Sequence, residues 1–454
     1  MARKLLFYWL LFFLFLQAAN AQIETTLPAL SRLNQSSYLN PAVLQAYKYS
    51  LGIPVLSGIG TQVGINGLTL SNVTNSIDDS NRINLTKLHE NIKGNALGVH
   101  VQTNIELIHF RFKTKKLYWG IHANNRVISH IDISKDLLGL VINGNTFYTG
   151  KTADASNTQI TNVAFNEYGV SVARNFNRLN VGVRLKMYQG ITAALTNNVV
   201  LKQTTPKNPT DSVRVQLGGM IRTAGVNYIK DSIGNRKATD DEKEFGNPVN
   251  FNNIGTGIDL GLTFDVSNKL TLGASITDLG ANIKWKSRTF SYTFNNFDYS
   301  FTGLTYDQLQ YDSLRNNYLD SIGKLFNFNG TDEQFTTAIP TRFFLTANYQ
   351  LNSKNTIGAM FQGQYRLGKS QSAFTVNYTR RLGNRLDITA NYTKITNLDG
   401  MIGMGLAVKA SVFQIYLIQD NILFLMNPSG NVYMNFRFGI NFVWGDLKRP
   451  VKVY

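Results

Sequence analysis

The sequence contains no cysteine, which removes disulfides, thiolate metal sites, cysteine nucleophiles and a lipid-modified N-terminal cysteine in one step. Beyond its first 21 residues it has no unbroken apolar run long enough for a spanning α-helix, which needs roughly 20 residues. Histidine is scarce. His89, His100, His109, His122 and His130 match no HExxH or paired metal spacing, and no carboxylates accompany them at ligand spacing. No GxSxG frame surrounds a serine, and the glycine strings Gly58-Gly60-Gly64 and Gly255-Gly257-Gly261 open no helix, so they read as wall-packing or kink glycines rather than phosphate cradles. The residues point to no enzyme, no metal site and no cofactor.

What is present begins with an export signal. Arg3 and Lys4 precede an apolar run from Leu5 to Leu16, followed by Ala18, Ala19, Asn20 and Ala21. This pattern predicts a secretory signal over 1–21, cleaved after Ala21. The formal charge is +17. In an exported chain that balance argues for anionic lipid or anionic solutes and against nucleic acid.

The strongest signal is a period of two. Val432, Met434, Phe436, Phe438, Ile440, Phe442 and Trp444 alternate with Tyr433, Asn435, Arg437, Gly439, Asn441 and Val443. Ile258, Leu260, Leu262 and Phe264 alternate with Asp259, Gly261, Thr263 and Asp265, and Val181 to Tyr188 behaves alike. Alternation places each set on its own face of a strand, and such segments recur over the mature chain. Aromatic residues make up 12% of the chain. Many stand at strand ends, among them Tyr118, Trp119, Tyr188, Trp285, Tyr378, Tyr392, Phe442 and Trp444, where interfacial girdles would put them. Tight turns at 175–180, 352–355 and 383–384 alternate with long insertions at 72–93, 132–157, 223–250 and 295–336. Within these, Ser134 caps an expected short helix from Lys135 to Ile142, and Tyr306 to Leu325 has a helical period. The expectation is an all-β, transmembrane antiparallel β-barrel of about 14 strands, range roughly 12–16. It covers residues 48–445 and leaves 446–454 as a short periplasmic tail.

Residues 22–47 carry no alternation. A plug inside the lumen and a frayed periplasmic tail both suit them. Lipid-facing positions cannot carry charge cheaply, so the polar set is expected to line the lumen. It includes Arg184, Lys186, Arg214, Lys284, Lys286, Arg288, Arg366, Arg385 and Arg437 against Glu106, Asp259, Asp265 and Asp387. Such a net basic lining either favours carboxylate-bearing solutes or closes into a cross-lumen salt-bridge network. One strand changes phase: His100, Gln102, Asn104 and Glu106 share a face, but Phe110 and Phe112 then occupy it. A bulge near Leu107 would restore the pattern.

Asn40-Pro41-Ala42 soon after the signal, Gly52-Ile53-Pro54 opening the first strand and the final Phe438-Gly439-Ile440-Asn441-Phe442 resemble the FadL-like outer-membrane barrels of Bacteroidota. Ser37 to Ala42, Lys135 to Leu140, Asp420 to Leu423 and Asn427-Pro428 resemble an uncharacterised, domain-of-unknown-function branch of that group more closely. The likeness covers nearly the whole mature chain. It implies an outer-membrane location in a Gram-negative cell and an N-terminal hatch over 22–47, with Asn40, Pro41 and Ala42 as ligand or hatch residues. It further implies passive passage of hydrophobic or amphipathic small molecules. A more distant likeness to the PorV-type barrel of the type IX secretion system implies the alternative, partnership with secretion-machinery or surface proteins.

Overall fold

The computed structural model describes residues 24–77, 82–208, 211–225, 228–230, 236–238, 251–301, 330–366, 369–396, 400–426 and 433–447. Fourteen antiparallel strands close on themselves. They are β1 (Tyr47–Gly52, resuming as Ile59–Asn66), β2 (Ala96–Thr114), β3 (Leu117–Ser134), β4 (Gln159–Phe176), β5 (Leu179–Thr205), β6 (Ile254–Asp265) and β7 (Leu270–Trp285). The wall continues with β8 (Phe335–Ala338, resuming as Thr341–Gln350), β9 (Asn355–Arg366), β10 (Lys369–Leu382), β11 (Leu386–Ile395), β12 (Met401–Ala410), β13 (Phe413–Gln419) and β14 (Tyr433–Asp446). Closure joins β1 to β14, with Leu51 opposite Phe442 and Ile59 opposite Phe438. Among the described strands of the wall no open edge remains, as a sheet in lipid requires.

Alternation decides which face each residue takes. Along β6, Leu260 is 41% exposed while Asp259 is 0% exposed, and β14 repeats this with Phe436 outward and Arg437 inward. The outer band is therefore apolar and the inner face polar. Tyr49 stacks on Trp444 at 5.3 Å and Phe413 meets Phe442 at 4.9 Å, both near the short-turn end. Turns there are brief, at 115–116, 177–178, 266–269, 351–354, 383–385 and 411–412, whereas several connections at the opposite end are long. In such barrels the short turns face the periplasm.

Several strands depart from regularity. β5 runs on above the membrane and is joined there by Val213–Ala224, which pairs in turn with Thr289–Phe301, the continuation of β7. β1 breaks between Gly52 and Ile59, and β2 shifts register between Glu106 and Ile108, at Leu107. β7 carries two extra residues between Ile276 and Asn282, with Asp278 and Gly280 at positive φ. That bulge turns both Thr277 and Asp278 inward.

Outside the wall, α1 (Leu70–Thr74), α2 (Leu85–Glu90) and α3 (Lys135–Asn143) fold together. The Ser134 Oγ accepts from Asp136 N at 3.2 Å and so caps α3. His89, buried beneath these helices, bonds the Lys135 carbonyl at 2.9 Å. Burial and the neighbouring Asp136 push the Tyr148 phenol up to about 12. The expected signal 1–21 and the helical period from Tyr306 to Leu325 lie outside the described residues.

Candidate functional site

Residues 24–46 run inside the barrel and are mostly buried. Two short 3-10 turns, Leu27–Ala29 and Asn34–Tyr38, let Leu27, Leu30, Leu33 and Leu39 face the wall. They pack on Phe344, Met360, Ala407, Tyr416 and Ile418, an apolar strip on the inner face of β8, β9, β12 and β13. The chain docks at three further points. At its start the Asp420 carboxylate accepts from Thr26 N at 2.8 Å and Thr25 Oγ1 at 3.0 Å, while Arg437 pairs with Glu24 at 2.7 Å.

The second point is Glu106, placed at the β2 bulge. It accepts from Gln35 Nε2 at 3.2 Å and Tyr38 OH at 3.0 Å, and it contacts His109, whose other ring nitrogen meets Ser50 Oγ at 2.8 Å. Gln35 Nε2 also donates to the Ser57 carbonyl at 3.0 Å and to Asn441 Oδ1 at 2.9 Å. Ser57 belongs to the break in β1, so one glutamine side chain joins the lumenal segment to the interrupted wall. Within that break Val55 and Leu56 are each 45% exposed, and Val55 sits at φ 67°, an outlier for a β-branched residue.

The third point is the Asn40-Pro41-Ala42 turn. Asn40 Oδ1 accepts from Ala42 N at 2.9 Å, and its Nδ2 donates to the Leu262 carbonyl at 3.2 Å and the Ala274 carbonyl at 3.4 Å. Ser275 Oγ donates to the Leu39 carbonyl at 2.7 Å. The wall beneath is bare: a Cβ on Gly261 would collide with Asn40 Oδ1, and one on Gly182 with the Pro41 carbonyl group. Only glycine admits so close an approach.

Above this turn lies a buried ionic layer. Asp278 contacts Lys186 at 2.7 Å, Arg342 at 3.3 Å and Arg126 at 3.5 Å, and accepts from Tyr188 OH at 2.8 Å. Glu167 meets Arg126 at 2.6 Å and His122 at 3.0 Å, while Asp259 meets Arg184 and Lys186, each at 3.0 Å. Arg184 then donates to the Ser37 carbonyl at 2.8 Å and lies over the Tyr38 ring, tying the layer to the segment. Beside it is a cavity of about 30 Å³ lined by Glu24, Asn104, Asn124, Arg126, Lys186 and Arg342, among others. That is room for a water or two. Toward the extracellular mouth the lining turns apolar, with Phe165, Tyr188, Ile283, Trp285 and Phe335 packed together.

Arg184, Lys186 and Arg437 stand in the lumen, but each is paired with a carboxylate. A net basic lining is not what forms, because Glu167, Asp278 and Glu24 balance it. Lys284 and Lys286 are exposed, with Ile283 and Trp285 between and beside them turned inward. They follow the phase of Leu272 and Ile276 and face out. The rule against outward charge fails there because β7 has left the apolar band, where the cost of a charge falls to roughly 0–1 kcal/mol. Arg214 is likewise exposed, paired with Asp298, and Arg385 sits in an exposed turn. Arg288 is half-buried at the bend above β7, at φ 53°. The Arg366 side chain lies outside the described residues. Tyr188 and Trp285 belong to the interior and not to an interfacial girdle, since both are 0% exposed. Glu167 and Asp278 escaped the sequence reading: the first was overlooked on a regular inward phase, the second points inward only through a bulge.

A model of a family of unknown function (DUF5723) matches residues 41–420. Among solved structures, a Pseudomonas aeruginosa FadL homologue aligns at TM-score 0.46 and 10% identity, covering 94% of this chain and 100% of that one. The Ralstonia pickettii toluene transporter TbuX aligns at TM-score 0.45 and 10% identity, covering 91% and 94%. The P. putida toluene transporter TodX aligns at 0.40 and 10%, covering 90% and 92%. No curated protein matches the sequence.

Proposed function

We propose that this chain, which belongs to the family of unknown function DUF5723, is an outer-membrane channel for hydrophobic or amphipathic small molecules, held shut by its own N-terminal segment. The observation that carries the reading is the position of that segment. It fills the lumen, yet before Ala46 it is attached by side-chain hydrogen bonds, ion pairs and apolar contacts, and, among the described residues, by no backbone strand pairing to the wall. Such contacts are individually worth about 1 kcal/mol and can be exchanged for water or ligand one at a time.

The route follows from the lining. An apolar solute entering from outside must part the packed layer of Phe165, Ile283, Trp285 and Phe335 first, and then meets the ionic layer, which would exclude it from a straight path through the lumen. Glu106 offers another outcome. When the segment shifts, Gln35 leaves the Ser57 carbonyl and Tyr38 leaves Glu106, loosening the break in β1 where Val55 and Leu56 are already exposed. A hydrophobic solute is then released sideways into the bilayer.

A second reading is an interaction barrel of the secretion machinery or the cell surface. The small cavity and the folded cap of α1, α2 and α3 favour it. Purified protein in liposomes separates the two. Saturable binding or passage of a fatty acid, an alkyl detergent or an aromatic hydrocarbon supports the channel. Failure to bind or pass any of them, with a stoichiometric protein captured from native membranes, supports the second.

A further inference from the structure

The overall charge of +17 is unevenly placed. Lys115, Lys116, Lys269, Lys354 and Arg385 all lie in short periplasmic turns and are exposed. Arg174 and Arg380 extend the set onto outward positions of β4 and β10. The acids at this end are Asp265 and Asp387, both buried, and Asp446, paired with Lys409. None of the seven cations just named forms an ion pair among the described residues.

We propose that this periplasmic collar binds the phosphate headgroups of anionic phospholipid in the surrounding leaflet. The setting of the cations selects lipid over a protein partner. Arg174 lies over the ring of Phe176 at 4.8 Å, and Phe176 is itself 50% exposed, so the guanidinium leaves the wall at the edge of the apolar band. Arg380 stands on the same outward face as Tyr378 and Leu382. A planar guanidinium there can take a phosphate by two parallel bonds. The turns carrying charge join β2 to β3, β6 to β7, β8 to β9 and β10 to β11, so the cations spread round most of the barrel, from β2 to β11. A docked protein would need them on one side; an annulus of lipid meets all of them.

The chain supplies its own reporters. Trp119 and Trp444 stand at the periplasmic end, and Trp285 is buried far from it. The full chain with Trp9→Phe and Trp285→Phe is reconstituted into phosphatidylcholine vesicles doped with brominated phosphatidylglycerol or brominated phosphatidylcholine, and the quenching of Trp119 and Trp444 is measured. A preference for phosphatidylglycerol of roughly fivefold is expected at low salt, shrinking toward none at about 0.5 M salt. The combined variant Lys115→Gln, Lys116→Gln, Lys269→Gln, Lys354→Gln, Arg174→Gln and Arg380→Gln loses the preference, and its lysine-to-arginine counterpart keeps it. Equal quenching by both lipids in the unsubstituted collar overturns the proposal. So does a preference that survives high salt or the glutamine variant when heat-modifiable gel mobility shows a folded barrel. Equal quenching together with salt-sensitive capture of soluble polyglutamate overturns it in favour of an acidic protein partner.

Discussion

Gly261→Ala isolates the docking of the lumenal segment from the integrity of the wall. The new Cβ would lie 2.8 Å from Pro41 Cδ and closer still to Asn40 Oδ1, so the Asn40-Pro41-Ala42 turn must lift. Lifting breaks the bonds from Asn40 to the Leu262 and Ala274 carbonyls and from Ser275 to the Leu39 carbonyl. At about 1 kcal/mol each, the segment loses about 3 kcal/mol of docking, which shifts its bound-to-free ratio by roughly a hundredfold. The absence of cysteine makes this measurable. Ser37 is 0% exposed, and Ser37→Cys reacts with a maleimide only when the segment leaves the wall. The reaction should run tens to hundreds of times faster in the Gly261→Ala background, with heat-modifiable gel mobility unchanged. An unchanged labelling rate in a folded barrel would refute the role assigned to this turn.

Other perturbations probe separate joints. Arg437→Ala leaves the Glu24 carboxylate buried without its partner and should cost about 3–5 kcal/mol in urea unfolding from vesicles, whereas joint replacement of Arg437 and Glu24 by methionine should recover most of the loss. Asp278→Asn removes the anion shared by Lys186, Arg342 and Arg126, and a fall of similar size is expected by the same assay. Val55→Gly removes a strained left-handed conformation worth about 1–3 kcal/mol, so unfolding free energy should hold or rise rather than drop as glycine usually dictates. Gln35→Ala should speed Ser37→Cys labelling by about tenfold through loss of its bonds to Ser57 and Asn441.

The wall was legible because a strand repeats every two residues. Phe436 and Arg437, or Leu260 and Asp259, declare opposite faces from composition alone. The closed antiparallel barrel of 14 strands follows from that rhythm and from the alternation of short and long connections. The interior was less legible. Arg184, Lys186 and Arg437 could be placed on the inner face, but their partners Asp278 and Glu24 could not, one arising from a bulge and the other from a segment without periodicity. Lys284 and Lys286 were misplaced because the chain gives no sign of where a strand leaves the bilayer. Gly261 announced tight packing without saying against what, since its counterpart Asn40 is more than 200 residues away in sequence.

The proposed gating of hydrophobic solutes by the lumenal segment is open to a flux measurement: uptake of a fluorescent fatty acid into proteoliposomes, comparing the unaltered chain with Gly261→Ala and with protein-free vesicles. Saturable uptake is expected with the unaltered chain, and faster uptake when the turn is displaced. Uptake by both proteins no faster than in protein-free vesicles, with Ser37→Cys labelling showing the segment released, would contradict it.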